Sequence, residues 1–91
     1  MTPQQVLMAA ADYIEQHGWC VRSYRKGQRV CAVGAINAVT TGNPSQGIEL
    51  SYEAEMLLYR YVAIPVSRWN DAQPDAATVV AALRQAAGGQ T

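Results

Sequence analysis

The stretch from Cys31 to Thr41 constrains this chain more than any other. Ala32, Val33, Ala35, Ile36, Ala38 and Val39 place apolar side chains on nearly every side of a helix. A helix apolar all round belongs at the centre of a fold, with other elements packed about it. Gly34, Ala35 and Ala38 permit a neighbour to approach closely, and Gly42-Asn43-Pro44 stops the helix before a loop over 43–47. The core that surrounds it must be thin. Hydrophobic residues make up 49% of the 91, yet fifteen of them are alanine and there is no Phe. A chain of this length buries only about 60–65% of its unfolded surface, so neighbouring helices must pack tightly.

Three further helices can be placed around the central one. Thr2 is a suitable N-cap, Pro3 fits the first helical position, and Gln5 completes a Thr-x-x-Gln capping box. Leu7, Ala10, Ala11 and Ile14 follow at helical spacing, with Val6 flanking the stripe, until Gly18, so a helix spans about 3–17. Ser51 is a candidate N-cap for a helix over 51–63, with Ala54, Leu57, Leu58, Tyr61 and Val62 facing inward and Ile64-Pro65 closing it. Pro74-Asp75 opens a last helix over 75–87, with Val79, Val80, Leu83 and Ala87 inward and Gly88-Gly89 at its end. Between the first two helices, Trp19, Val21 and Ser23 alternate with Cys20, Arg22 and Tyr24. A Lys26-Gly27 turn then returns the chain through 28–30 as a short hairpin. Val66 to Gln73 reads as a connector. The expected fold is a mostly α, compact single domain of about four helices, with a short β-hairpin or extended arm after the first.

Charge narrows the function classes. Seven basic and seven acidic residues cancel, and charged residues are only 15% of the chain. A general binder of nucleic acid or anionic membrane would carry a positive excess. Low charge and zero net charge favour self-association, hence a homodimer. The N-terminus lacks a basic region followed by a signal-type apolar block, and the 31–39 stretch is too short to span a bilayer. These features suggest a cytosolic protein with Cys20 and Cys31 reduced.

The cancellation is uneven along the chain. Arg22, Arg25, Lys26 and Arg29 hold four of the seven positive charges, with Tyr24 among them. No acidic residue occurs between Glu15 and Glu49, and no basic one between Val30 and Tyr59. Glu49, Glu53 and Glu55 cluster at the third helix start, where they complement its dipole. The basic segment is either a solvated turn or a contact surface for acidic groups on a protein, a phosphate backbone, or the acidic helix start of a second copy.

Reactive side chains are few. His17, Cys20 and Cys31, with Asp71 or water, would make an incomplete metal set, and small buried cysteines are the simpler reading. Cys31 at a helix N-terminus would have a lowered thiol pKa, with His17 as base and Asn70 or Asp71 as orienter of a cysteine-dependent enzyme. No oxyanion or nucleotide loop accompanies them, and no catalytic residue, metal or cofactor is assigned. Trp69-Asn70-Asp71 reads as a core anchor followed by two polar groups that brace the backbone before the last helix. As a functional set, Asn70 and Asp71 would line a groove with Trp19, Cys20, Cys31 and Trp69.

Gly18-Trp19-Cys20, Cys31-Ala32-Val33-Gly34-Ala35 and Trp69-Asn70-Asp71-Ala72 occur in an order that resembles a family of small proteins. These are proteins of unknown function in actinobacteria and in phages that infect them, mycobacteriophages included. The resemblance runs from the first helix to Ala87, and the 41–50 segment matches no pattern. It implies a source rather than a chemistry; a phage copy would act on a host protein. The expected function is therefore that of a small, non-enzymatic cytosolic interaction protein. It would contact a protein partner through Arg22, Tyr24, Arg25, Lys26 and Arg29. A nucleic-acid accessory role for the same residues and a cysteine enzyme centred on Cys31 are the alternatives.

Overall fold

A computed structural model describes residues 1–88. Five helices enclose one core: α1 (Pro3–His17), α2 (Ala32–Thr41), α3 (Glu49–Val62), α4 (Val66–Asp71) and α5 (Ala76–Gly88). A two-stranded antiparallel ribbon, β1 (Arg25–Lys26) and β2 (Arg29–Val30), lies between α1 and α2. The mostly helical fold with a hairpin after the first helix is thus present, with a fifth helix added.

Local chemistry explains where the elements begin and end. Thr2 caps α1 through its side chain and Gln5 returns the bond, the full capping box. Val6, Leu7, Ala10, Ala11 and Ile14 are buried from one stripe of α1, which packs against α5, α2 and α3. Gly18, at φ 97°, ends α1 with its N–H on the Ile14 carbonyl. The first turn of α3 lies two residues earlier than expected. Ser51 is not its N-cap: the Ser51 hydroxyl accepts from the Ile48 N–H at 3.0 Å, securing the cap position from inside the helix. Ala63, left-handed at φ 68°, closes α3. Asp75 caps α5 by accepting from the N–H and hydroxyl of Thr78. Gly88 is the last residue of α5, and Gly89 lies outside the described residues.

The central position of α2 follows from its composition. Residues Ala32 to Asn37 are all buried, and Ala32, Ala35 and Ile36 are fully enclosed. Asn37 satisfies its polarity by donating to the Pro44 carbonyl, which folds the loop after α2 back onto the helix. Thr41 fixes the same loop through bonds to Asn43 and Gln46. On α3, Ala54 and Leu58 face the core as expected, whereas Tyr61 is 51% exposed. Its hydroxyl reaches Gln85 on α5, so the ring covers the rim rather than filling the interior.

Two expectations between the helices are corrected. Residues 21–24 do not form a strand arm; the pairing is Arg25 with Val30 and Lys26 with Arg29, across a Gly27-Gln28 turn. Trp19 forms only an isolated parallel bridge with Val30. Arg22 breaks the alternation because its backbone is left-handed, at φ 62°. Val66–Asp71, read as a connector, is a helical turn and a half that buries Val66, Trp69 and Asn70. Its start immediately after Pro65 fits the fixed φ of that residue.

Candidate functional site

The surface richest in chemistry lies where α4, the start of α2 and the 19–30 segment meet. Asn70 is its centre and is fully buried. Its Oδ1 accepts from the Trp19 indole N–H at 2.8 Å and from the Ala32 N–H at 3.0 Å. Its Nδ2 donates to the Cys20 carbonyl and to Asp71 Oδ1, both at 3.2 Å. Two lone pairs and two protons are the whole bonding capacity of a side-chain amide, and all four are used. Asp71 extends the chain of bonds, accepting from the Arg22 N–H at 2.9 Å. The Asn70 and Asp71 side chains therefore brace residues 19–32, while the Trp69 and Asn70 carbonyls accept from Ala72 and Gln73 before the last helix.

Cys31 is the N-cap of α2, and its Sγ accepts from the Gly34 N–H at 3.3 Å. Burial pushes the Cys31 thiol up, outweighing the lowering from the Gly34 and Val33 N–H groups. The thiol lowering expected at a helix N-terminus is thus reversed by desolvation. Cys20 is pushed up by burial as well, and its thiol points at the Ser23 and Arg29 carbonyls. His17 stacks on Tyr13, with ring centroids 4.1 Å apart, and lines a different hollow from Cys31. Among the described residues, no three His, Cys, Asp or Glu side chains gather as a metal-binding group.

Beside this network is an open hollow of about 430 Å³, lined by Arg22, Ser23, Tyr24, Cys31, Ser67 and Asp71. Arg22, Tyr24, Cys31 and Asp71 come together here, while Trp19 and Asn70 belong to the hydrogen-bond network beside it and Trp69 to the hydrophobic core. Ser67 was not distinguishable in the sequence from any other surface serine. Gly34 is the second residue whose role was hidden. Its apolar setting suggested close helix packing, but the group against it is the Tyr24 carbonyl, with no room for a Cβ between them. That carbonyl also accepts from the Cys31 N–H at 3.3 Å.

Arg25, Lys26 and Arg29 are exposed on the ribbon, and Tyr24, next to them in sequence, is 48% exposed. Among the described residues the ion pairs are those of Arg84 with Asp12 and Glu15, and the ribbon's cations form none there. The Arg29 stem covers Gly18, where a Cβ would lie 2.7 Å from its Cγ. Glu49, Glu53 and Glu55 are likewise without ion pairs to the ribbon. No helix among the described residues is long and apolar enough to cross a membrane. No curated protein and no solved structure matches the chain. A family model spans residues 1–88, nearly the full length and all three of the short motifs, and on that match the chain belongs to DUF6197, a family of unknown function.

Proposed function

We propose that this protein is a small, non-enzymatic cytoplasmic binding module that engages an acidic surface on another protein through Arg22, Tyr24, Arg25, Lys26 and Arg29. One observation carries the reading: a cationic ribbon whose Arg25, Lys26 and Arg29 form no ion pair among the described residues is fastened to the core at its root. Asn70 holds residues 19–20, Asp71 holds Arg22, and the Tyr24 carbonyl seats on α2. Fastening the root limits the ordering cost of association, which otherwise weakens binding by a flexible loop. If the chain is encoded by a phage, one of the two sources its motif resemblance implies, the partner is a host protein.

The test compares wild type with Arg25→Gln/Lys26→Gln/Arg29→Gln, which keeps the side-chain stems and removes three charges. Immobilised on beads in a mycobacterial lysate, wild type is expected to retain a partner that elutes as salt rises from about 0.1 to 0.5 M, over which screening shortens markedly. The triple variant is expected to retain none of it, with an unchanged melting temperature. Equal retention by both proteins would overturn the assignment. The exposed Tyr24 beside three cations also suits a single-stranded phosphate backbone, and retention of nucleic acid alone, abolished by nuclease, would favour that reading.

A further inference from the structure

The outer face of α3 carries two of the exposed tyrosines, Tyr52 and Tyr59. Ser51, Ala54 and Leu58 turn inward, and opposite them Tyr52, Met56 and Tyr59 follow one another at spacings of four and three. Such spacing makes a continuous stripe along a helix. Tyr52 is 63% exposed and Tyr59 39% exposed. A groove of about 380 Å³ runs beside the stripe, with Pro3 and Gln4 of α1 on one wall and Tyr52 and Met56 on the other. Glu53 and Arg60 also line it. They lie on either side of Met56, seven residues or about 10 Å apart along the axis. That separation is too great for them to pair with each other, and neither has an ion-pair partner among the described residues.

This arrangement is complementary to itself. A half-turn of a second copy about an axis near Met56 lays the two α3 helices antiparallel. Each Glu53 then approaches the other copy's Arg60, and the Tyr-Met-Tyr stripes meet between the two charge pairs. The helix dipoles also oppose, so the acidic start of each helix faces the basic end of the other. A two-fold contact of this kind closes on itself and does not propagate. Tyr and Met are the residue types enriched in such contacts. We propose that the outer face of α3 is the two-fold interface of a homodimer. The pairing departs from a ribbon-to-helix contact, because the ribbon takes no part in it. Each dimer presents two ribbons, and the proposal stands whether or not the ribbon binds an acidic protein.

The experiment is sedimentation equilibrium on the full chain from about 1 to about 300 μM, a range that brackets weak and moderate dimers. Wild type is expected to show a monomer–dimer equilibrium. Glu53→Arg and Arg60→Glu each place two like-charged contacts in the dimer and should weaken it by about tenfold or more. The double variant Glu53→Arg/Arg60→Glu should recover dimerisation. An equimolar mixture of the two single variants should form a heterodimer tighter than either homodimer. Met56→Cys, in the unaltered charge background, should give a disulfide-linked dimer on mild oxidation by a small-molecule disulfide, independently of whether the charge variants fold. A wild type monomeric throughout, or single variants that dimerise like wild type, would overturn the proposal. So would a folded double variant that fails to recover.

Discussion

Asn70 shows how much of this fold rests on one side chain. It joins α4 to the Trp19 indole, the Cys20 carbonyl and the first N–H of α2, so three otherwise separate pieces share one amide. Replacement by alanine leaves those three groups without partners. Each buried polar group left unsatisfied costs about 1–3 kcal/mol. Allowing for water entering the space, Asn70→Ala should lose about 3–5 kcal/mol in urea denaturation, a large share of the stability of a small domain. Asn70→Asp keeps the volume and Oδ1 but turns a second acceptor toward the Cys20 carbonyl and Asp71, so it should not rescue. A loss below about 1 kcal/mol for Asn70→Ala would mean that the network is dispensable. The sequence marked Asn70 and Asp71 as backbone-binding residues because Asn and Asp beside a helix end commonly are. It could not show their partners, since Trp19, Cys20 and Ala32 lie 51, 50 and 38 residues away.

At the scale of elements, legibility followed length. The stripes of α1 and α5 are long enough for periodicity to identify their buried residues, and the all-apolar composition of α2 marked it as central. α4 is only six residues, too short to show a period, and its flanking prolines imitate a loop. Alternation through 19–24 predicts a turn one residue before the Gly27-Gln28 turn that precedes β2, whereas Arg22 is left-handed and its N–H is bound by Asp71. Gly34 tests how tightly these pieces fit. In an unobstructed helix, alanine in place of glycine gains about 1 kcal/mol. Here the new methyl group would overlap the Tyr24 carbonyl, and moving that group also loosens its bond from the Cys31 N–H. Overpacking of this kind costs about 1–3 kcal/mol, so Gly34→Ala should lower the urea midpoint despite its better helix propensity. A raised midpoint would show that the 21–24 segment yields freely and that the ribbon's root is not fixed.

Across the whole molecule, zero net charge is the sum of regions with different electrostatic roles, and their carboxylates respond oppositely to pH. Arg84 on α5 binds Asp12 and Glu15 on α1, and its hydrogen bonds hold the Glu15 carboxyl below the usual range. Thr78 does the same for the Asp75 cap. Groups lowered by folding contribute stability above their unfolded pKa and lose it as pH falls through the folded value. Both are exposed, so their contributions are modest and weakened by salt. Glu55 runs the other way. Partial burial on α3 raises its pKa, and no ion-pair partner among the described residues offsets that burial. Its penalty is absent below the unfolded pKa of about 4.3, appears as pH rises, and is complete above the raised folded value. Glu55→Gln removes that charge while keeping nearly the same shape. It should raise the melting temperature at about pH 7. The gain should shrink as acidification protonates the wild-type carboxyl, and largely disappear below about pH 4. Melting curves of both proteins across that range measure the difference directly. A gain of constant size would place its origin in amide hydrogen bonding or helix propensity rather than in the buried charge. A gain that grows on acidification would reverse the direction argued for Glu55.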